Sequence, residues 1–200
     1  MSTSEHWEQV YSTKSPDEVS WFQREPIVSL QLIDQYATKG DSIIDVGAGQ
    51  SHLVDQLFAE GYLDLTILDI SEKAMEGVKE RLGSLAVQSV IADIRAWKPE
   101  RLFDVWHDRA VFHFMNSTED VSAYIGALKK SVANNGIAVI GTFAEDGPTQ
   151  CSGLDVRRYS PAELGEVFAE DFSLLETNQE EHITPWGVIQ KFSWVVLQRT

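Results

Sequence analysis

The 200-residue sequence contains a single cysteine, Cys151, which excludes an internal disulfide. The N-terminus lacks the basic and apolar segments of a signal peptide, and every apolar run is too short to cross a bilayer. One unpaired cysteine also agrees with a reducing compartment. We therefore expect a cytoplasmic protein without membrane contacts, and we predict no metal site.

Basic residues are scarce as well. The chain has 16 Lys and Arg residues against 31 Asp and Glu residues, so its formal net charge is −15. Because Lys and Arg contacts to phosphate dominate the binding of nucleic acids, this charge disfavours a DNA or RNA substrate. The hydrophobic content of 43% is ample for one core. We expect a single domain over residues 1–200, as a monomer or weak homodimer.

Two phosphate-binding motifs are missing around the most informative segment, Ile-Ile-Asp-Val-Gly-Ala-Gly-Gln-Ser at residues 43–51. An apolar strand here meets Gly47 and Gly49, and apolar residues at helical spacing follow, which is typical of a turn against a nucleotide-like ligand. A dinucleotide motif would have a third glycine where His52 stands, and a P-loop would need Gly-Lys-Ser or Gly-Lys-Thr. Ligands held by their phosphates are thus disfavoured.

Acidic residues end the next two predicted strands. Asp69 follows the glycine turn by about 20 residues, where a carboxylate can accept hydrogen bonds from ribose hydroxyls. Asp93 can accept from an adenine amine, and Ile94 can cover a ring face. By themselves these residues serve NAD and S-adenosylmethionine equally.

Together, Asp45-x-Gly47-x-Gly49, Asp69 and Asp93-Ile94 resemble the cofactor motifs of the class I S-adenosylmethionine-dependent methyltransferases, over most of the chain. Ser51 stands where that family commonly has a third glycine. The resemblance implies S-adenosylmethionine as the cofactor. It also implies an N-terminal lid over residues 1–24 that folds over the cofactor, and an acceptor wall at residues 144–159.

After the predicted fourth strand, His107-Asp108-Arg109-Ala110 resembles the W-D-R-G motif of the thiol and thiopurine methyltransferases, with two identities in four. This resemblance places His107 and Asp108 beside the methionine part of the cofactor and directs Arg109 toward the acceptor. Arg109 and His113 are the candidate catalytic residues, with packing between phenylalanines as the alternative for His113. The predicted cofactor-binding residues are Tyr11, Trp21, Asp45, Gly47, Ala48, Gly49, Ser51, Asp69, Ile70, Asp93, Ile94, His107 and Asp108.

Other reactive side chains have a plainer interpretation. Cys151 lies in the acceptor loop, but a lone cysteine is usually a small packing residue. We interpret His182 as a solvated loop residue near the last two strands. His52 opens a helix, where it orients the glycine turn.

Helical and strand patterns alternate along the chain. Strands are predicted at residues 42–46, 63–68, 87–92, 103–107, 137–143, 172–179 and 188–198. Helices are predicted from Pro26 to Gly40 and at residues 51–60, 72–82, 117–132 and 160–168. The last two strands are joined by a segment too short for a helical crossover, so they must pair antiparallel. The predicted fold is α/β: a Rossmann-like doubly wound seven-stranded sheet with an antiparallel C-terminal hairpin and helices on both faces.

The sequence thus predicts methyl transfer from S-adenosylmethionine to a small-molecule acceptor by in-line displacement. A protein lysine methyltransferase of the same fold shares every cofactor motif and is the nearest alternative. A non-catalytic cofactor-binding module and an NAD-dependent reductase are the more distant ones.

Overall fold

The computed structural model describes residues 2–200. Its α-helices are α1 Thr3–Thr13, α2 Ile27–Tyr36, α3 Leu53–Ala59, α4 Glu72–Leu82, α5 Thr118–Ser131 and α6 Pro161–Phe168. Its strands are β1 Ile43–Val46, β2 Leu65–Asp69, β3 Val87–Ile91, β4 Phe103–Arg109, β5 Val132–Phe143, β6 Gln150–Cys151, β7 Leu154–Asp155, β8 Phe172–Ile183 and β9 Ile189–Arg199. Short 3-10 turns lie at Pro16–Glu18 and Phe112–Phe114.

One seven-stranded sheet with the order β3-β2-β1-β4-β5-β9-β8 organises the molecule. Strands β1 to β5 pair in parallel, and β9 pairs antiparallel with both β5 and β8. Strand β1 lies between β2 and β4, so the strand order reverses there, and ligands of such sheets bind beyond the carboxyl ends of these strands. The predicted fold is confirmed.

The buried side chains form two apolar clusters, one on each face of the sheet. Neighbouring β1 residues alternate between them, with Ile43 in one cluster and Ile44 in the other, as the two-residue period of a strand requires. Helices α2, α3 and α4 contribute to the Ile43 cluster, whereas α5 and α6 contribute to the Ile44 cluster. The prediction of helices on both faces is therefore correct.

Helix ends follow the capping signals in the sequence. The Ser71 hydroxyl accepts from the Ala74 amide at 3.1 Å and begins α4, and Ser160 with Glu163 forms a capping box that begins α6. Within residues 2–200, no helix is long and apolar enough to span a bilayer.

Several elements differ from the sequence prediction; among them, α2 ends four residues early, at Tyr36, and β8 continues four residues further, to Ile183. Helix α1 lies within the predicted lid, where we expected no element; its mean hydropathy is low and Val10 is its one buried residue, so its apolar pattern is weak. Strand β5 begins five residues early, at Val132, and continues through Asn135 at a φ of +62°. The loop at residues 144–159 contains the two-residue strands β6 and β7. Met1, the first residue of the predicted lid, lies outside the described residues.

Candidate functional site

A cavity of about 460 Å³ opens beyond the carboxyl ends of the central strands, beneath α1. It brings together eight of the predicted site residues: Tyr11, Trp21, Gly47, Asp69, Ile70, Asp93, Ile94 and Arg109. Side chains from α1, the β4–α5 connection and the β6–β7 hairpin complete its walls. The cavity is thus built from segments far apart in the sequence.

The glycine turn shapes one wall of this cavity. Gly47 has a φ of +67°, and a Cβ added there would lie 1.9 Å from Cγ2 of Val111. The Gly47 and Ala48 amides both donate to the Leu68 carbonyl, at 2.7 and 3.1 Å, which ties the turn to β2. Both the backbone angle and the space therefore require glycine at position 47.

Asp69 is fixed at the end of β2 by backbone donors. Its Oδ2 accepts from the Gly49 amide at 2.8 Å, and its Oδ1 accepts from the Ser71 amide at 2.9 Å. Burial raises the pKa of Asp69 to about 6, although these amides act in the opposite direction. A carboxylate offers about four lone-pair sites, so both oxygens can still accept from a ligand in the cavity.

Asp93, at the end of β3, is engaged by a residue that sequence reasoning missed. Arg95 donates from Nε to Oδ1 at 2.9 Å and from Nη2 to Oδ2 at 2.6 Å. These hydrogen bonds hold the pKa of Asp93 below its usual range. Arg95 also donates to Asp120 at 3.2 Å and to Thr3 at 3.4 Å, and so links β3, α5 and α1. The sequence showed only that Asp120 lies in the first turn of a helix; it did not indicate the contact with Arg95.

A smaller cavity of about 60 Å³ lies on the other side of the glycine turn. It is lined by Asp45 and His107, whose Oδ1 and Nδ1 are 2.7 Å apart. The His107 Nε2 lies 2.9 Å from the hydroxyl of Ser29 on α2. Ala48 and Ser51 line the same space, together with Tyr11, Trp21, Gly47 and Arg109, which border both cavities.

Asp108 does not reach either cavity, and its predicted contact with the cofactor is wrong. Its side chain is completely buried, where it accepts from the amides of Val111 at 2.8 Å and Phe112 at 3.0 Å. The Tyr124 hydroxyl donates to the same carboxylate. Burial raises the pKa of Asp108 to about 6. Asp108 therefore fixes the turn after β4 from inside the core.

Replacing Asp108 by alanine should lower the free energy of unfolding by about 3 kcal/mol, because two buried donors and one half-buried donor lose their acceptor and each unpaired buried donor costs about 1–3 kcal/mol. Urea denaturation measures this loss. Tyr124→Phe removes two hydrogen bonds, the one donated to Asp108 and the one accepted from the Trp106 indole, and should cost about 2 kcal/mol. Calorimetric affinity of the folded Asp108→Ala protein for S-adenosylhomocysteine should stay near that of the unmodified protein. A stable variant that has lost this affinity would restore the cofactor role.

The prediction that His113 is a catalytic residue is also wrong. Its side chain is completely buried outside both cavities, with ring centroids 4.5 Å from Phe114 and 4.7 Å from Phe143. The Phe143 amide donates to its Nδ1 at 3.4 Å. Burial and the nearby Arg109 lower the pKa of His113 to about 3. His113 is thus a neutral packing residue, which was the alternative interpretation.

Arg109 lies at the end of β4 with 9% of its side chain exposed. Its Nη1 donates to the Trp21 carbonyl at 3.0 Å, and its guanidinium carbon lies 4.4 Å from the Phe192 ring centroid. The Glu180 carboxylate on β8 lies 3.7 Å from Nε. Burial lowers the pKa of Arg109, and Glu180 acts in the opposite direction.

Glu180 and Gln23 also escaped sequence reasoning. Glu180 accepts from Gln23 at 2.6 Å and from the Trp194 indole at 3.0 Å. The expectation of a solvated His182 is wrong: this residue is buried in β8, with its Nε2 2.6 Å from the Ser20 carbonyl. Polar and apolar residues do not alternate regularly along β8, so nothing in the sequence indicated that the Glu180 side chain points inward.

The N-terminal helix covers the larger cavity. Trp7 lies between Trp21 and Phe114, at ring-centroid distances of 5.7 and 5.4 Å. The Glu8 carboxylate accepts from the Glu72 and Lys73 amides, so an acidic group occupies the N-terminus of α4, where the helix dipole favours it. The cover is thus fixed to α4 on one side and reaches the β4–α5 connection on the other.

Two further side chains, Cys151 and His52, were given a structural interpretation in the sequence analysis. Cys151 borders the larger cavity and is buried, which raises the pKa of its thiol to about 12. His52 stands at the N-terminus of α3, with its ring 6.0 Å from that of Phe22. Gly49 lies outside both cavities within the described residues; its contribution is the amide that holds Asp69.

Comparison with known proteins agrees with this arrangement. The model of a family described as "Methyltransferase domain" matches residues 37–191. Two curated relatives are the "eEF1A lysine and N-terminal methyltransferase" of Mus musculus, 27% identical over 82 residues, and that of Danio rerio, 27% identical over 123 residues. The matches cover 41% and 60% of this chain but 12% and 18% of the relatives, so the chain spans less than a fifth of their length.

Two solved structures share the fold over nearly the whole chain. A SAM-dependent methyltransferase from Anabaena variabilis is 16% identical with a TM-score of 0.78, covering 100% of this chain and 96% of its own. The N-methyltransferase NodS from Bradyrhizobium japonicum, in complex with S-adenosyl-l-homocysteine, is 15% identical with a TM-score of 0.73, covering 97% and 98%. At such identities the likeness establishes the fold alone. Because the family model covers most of the sequence, the chain belongs to the methyltransferase-domain family, which confirms the predicted methyltransferase and its cofactor S-adenosylmethionine.

Proposed function

We propose that this methyltransferase transfers the methyl group of S-adenosylmethionine to a small-molecule acceptor bound in the larger cavity. The observation that carries this proposal is the aromatic cover: Trp7 of α1 packs against both Trp21 and Phe114, and all three line the cavity. A small acceptor fits beneath such a cover, whereas a protein segment would have to displace it. Closure also excludes water from the reacting groups.

The residues around the cavities fit the cofactor. Asp69 has acceptor capacity left for ribose hydroxyls, and Asp93 with Ile94 offers an acceptor and an apolar surface for adenine. Asp45 and His107, in the smaller cavity, are the groups that would meet the methionine end. Gly47, which borders both cavities and has a φ of +67°, adds no side chain to the turn between these two groups of residues.

The cofactor supplies a methyl group on a sulfonium, which is already activated for displacement. The protein's contribution is alignment, and holding the reactants in line can supply roughly 7–11 kcal/mol of the barrier reduction. Arg109 and the aromatic cover would orient the acceptor. Cys151 and Tyr11 have raised pKa values because they are buried, so they keep their protons at neutral pH and do not act as bases. This favours an acceptor whose nucleophilic atom arrives without a proton to lose.

A protein lysine methyltransferase is the second candidate, because the curated relatives from Mus musculus and Danio rerio carry that activity in their names. A closer assignment to the thiol and thiopurine branch rests on two identities at residues 107–110. A cytoplasmic location and a monomeric or weakly dimeric state belong to the same proposal and rest on composition.

Incubation with methyl-labelled S-adenosylmethionine and undialysed cell lysate separates the candidates. Label in the low-molecular-weight filtrate supports the small-molecule acceptor, and label in protein bands supports the lysine alternative. Label in neither fraction, with cofactor binding retained, indicates a non-catalytic module. Asp69→Ala serves as the control with an impaired site, and Asp64→Ala, at the opposite end of β2 and half-exposed, serves as the matched variant.

A further inference from the structure

We infer that Arg109 recognises an oxyanion, such as a carboxylate, on the acceptor, so that the substrates of this enzyme are anionic small molecules. The inference rests on the proposed function and names the substrate class of the same site. Its basis is a buried guanidinium whose hydrogen-bonding capacity is largely unused.

The unused donors of Arg109 lie on one edge of its guanidinium. The side chain is 9% exposed, and Nη1 donates to the Trp21 carbonyl. Nε and Nη2 are buried, and neither has a hydrogen-bond partner in residues 2–200. These two nitrogens form the planar fork that matches the two oxygens of a carboxylate. Buried polar groups are nearly always paired in native proteins, so this edge indicates a ligand.

Nearby charges leave that fork available. Glu180 lies 3.7 Å from Nε, beyond hydrogen-bonding distance, and its oxygens accept from Gln23 and Trp194. It therefore balances part of the charge without satisfying the donors. His113 and His182 are buried and have lowered pKa values, so neither adds a positive charge at neutral pH. A cationic acceptor offers no lone pair to the N–H donors of the fork, so they would stay unpaired.

The position of Arg109 in the sheet places it on the acceptor side. Asp69 ends β2 and Asp93 follows β3 by two residues, both on one side of β1, whereas Arg109 ends β4 on the other side and pairs with Gly141 of β5. It borders the larger cavity together with Cys151. The ring of Phe192 lies against the guanidinium and fixes its plane.

The turn at residues 20–23 lies against Arg109. Three contacts hold this segment: Arg109 donates to the Trp21 carbonyl, Gln23 donates to Glu180, and His182 contacts the Ser20 carbonyl. Each contact involves a residue of β4 or β8. Nε and Nη2 have almost no solvent-accessible surface in this arrangement, so an acceptor reaches them only when the side chains around them move aside.

The test uses benzoate, benzamide and benzamidine, three probes of one shape with negative, zero and positive charge. Each is titrated calorimetrically into the protein saturated with S-adenosylhomocysteine. We expect benzoate to bind at least about tenfold more tightly than benzamide, with benzamidine weakest. Arg109→Gln should abolish this preference, and Arg109→Lys should keep part of it because the charge remains. Arg101→Gln should keep all of it, because Arg101 pairs with Asp64 near the start of β4, at the opposite end of the strand.

Several results would overturn the inference. Equal affinities for benzoate and benzamide, tighter binding of benzamidine, or an unchanged preference in Arg109→Gln would each do so. A loss of S-adenosylhomocysteine affinity in Arg109→Gln matching its loss for benzoate would instead assign the fork to the amino-acid end of the cofactor. If Arg109→Gln fails to fold, the inference is tested by the affinities of the three probes for the unmodified protein and for Arg109→Lys. Failure of S-adenosylhomocysteine itself to bind would refute the proposed function and is measured separately.

Discussion

Asp69→Ala is expected to weaken the binding of S-adenosylhomocysteine by about 100-fold. Under the proposed function, the carboxylate accepts two ribose hydroxyls, and a hydrogen bond to a charged group is worth about 1.5–3 kcal/mol. A loss of about 3 kcal/mol corresponds to two orders of magnitude in the dissociation constant. Isothermal titration calorimetry measures the change. Asp64→Ala removes an acid from the other end of the same strand and should leave the affinity unchanged.

The pH dependence of binding provides an independent check on Asp69. Its pKa in the free protein is raised to about 6 by burial, so the carboxyl becomes protonated as the pH falls through 6. Ribose hydroxyls bind the ionised form better, so affinity should be constant above about pH 7 and decrease below about pH 6, by up to tenfold per pH unit. Asp69→Asn should remove this dependence. An affinity that stays constant from pH 7 to pH 5 would contradict the role.

Gly47→Ala is expected to destabilise the protein by about 3 kcal/mol or more and to abolish cofactor binding. An L-residue in the left-handed region costs roughly 1–2 kcal/mol, and overpacking a buried site adds about 1–3 kcal/mol. Both terms apply, because φ is +67° and the new Cβ would lie 1.9 Å from Cγ2 of Val111. Urea denaturation gives the stability, and calorimetry with S-adenosylhomocysteine gives the binding.

Two variants separate the backbone effect from the steric effect. Gly187 has a φ of +82° in a turn with open space around its Cα, so Gly187→Ala should cost the backbone contribution alone and leave binding intact. Val111→Ala removes Cγ2 and should restore part of the stability of Gly47→Ala, which makes the two substitutions non-additive. Additive losses would show that Val111 does not limit position 47.

The strands and the antiparallel pairing of the last two were predictable because they depend on local periodicity and connection length, whereas the sheet as a whole followed from the resemblance to methyltransferases. The short segment between β8 and β9 excluded a helical crossover, and the Ser71 and Ser160 caps located two helix starts within the sequence. Helix α1 was missed because its apolar pattern is weak and it packs on α4 and the cavity walls, although Ser2 and Glu5 form a capping box that marks its start.

The site was predictable where backbone geometry dictates the residue and unpredictable where a side chain could face either way. Gly47 and Asp69 border the cavity as expected, since a turn at a strand end leaves few alternatives. His107 and Asp108 are neighbours on one strand, and successive side chains of a strand face opposite sides of the sheet. His107 therefore borders the smaller cavity while Asp108 turns toward Tyr124, so one motif could not place both at the cofactor.

The pairing of Arg109 with Glu180 illustrates the remaining limit. These residues are far apart in the sequence and come together because β8 and β9 extend the sheet beyond β5 and β8 then faces the segment at residues 20–23. Neither the spacing nor the composition of the chain encodes that contact. The same holds for Arg95, which connects Asp93, Asp120 and Thr3.

Calorimetric titration of the unmodified protein with S-adenosylhomocysteine tests the central assignment most directly. One molecule bound per chain, with affinity lost in Asp69→Ala and retained in Asp64→Ala, is the result that the cavity geometry predicts. Absence of binding, or binding unaffected by Asp69→Ala, would contradict the assignment of this cavity to the cofactor.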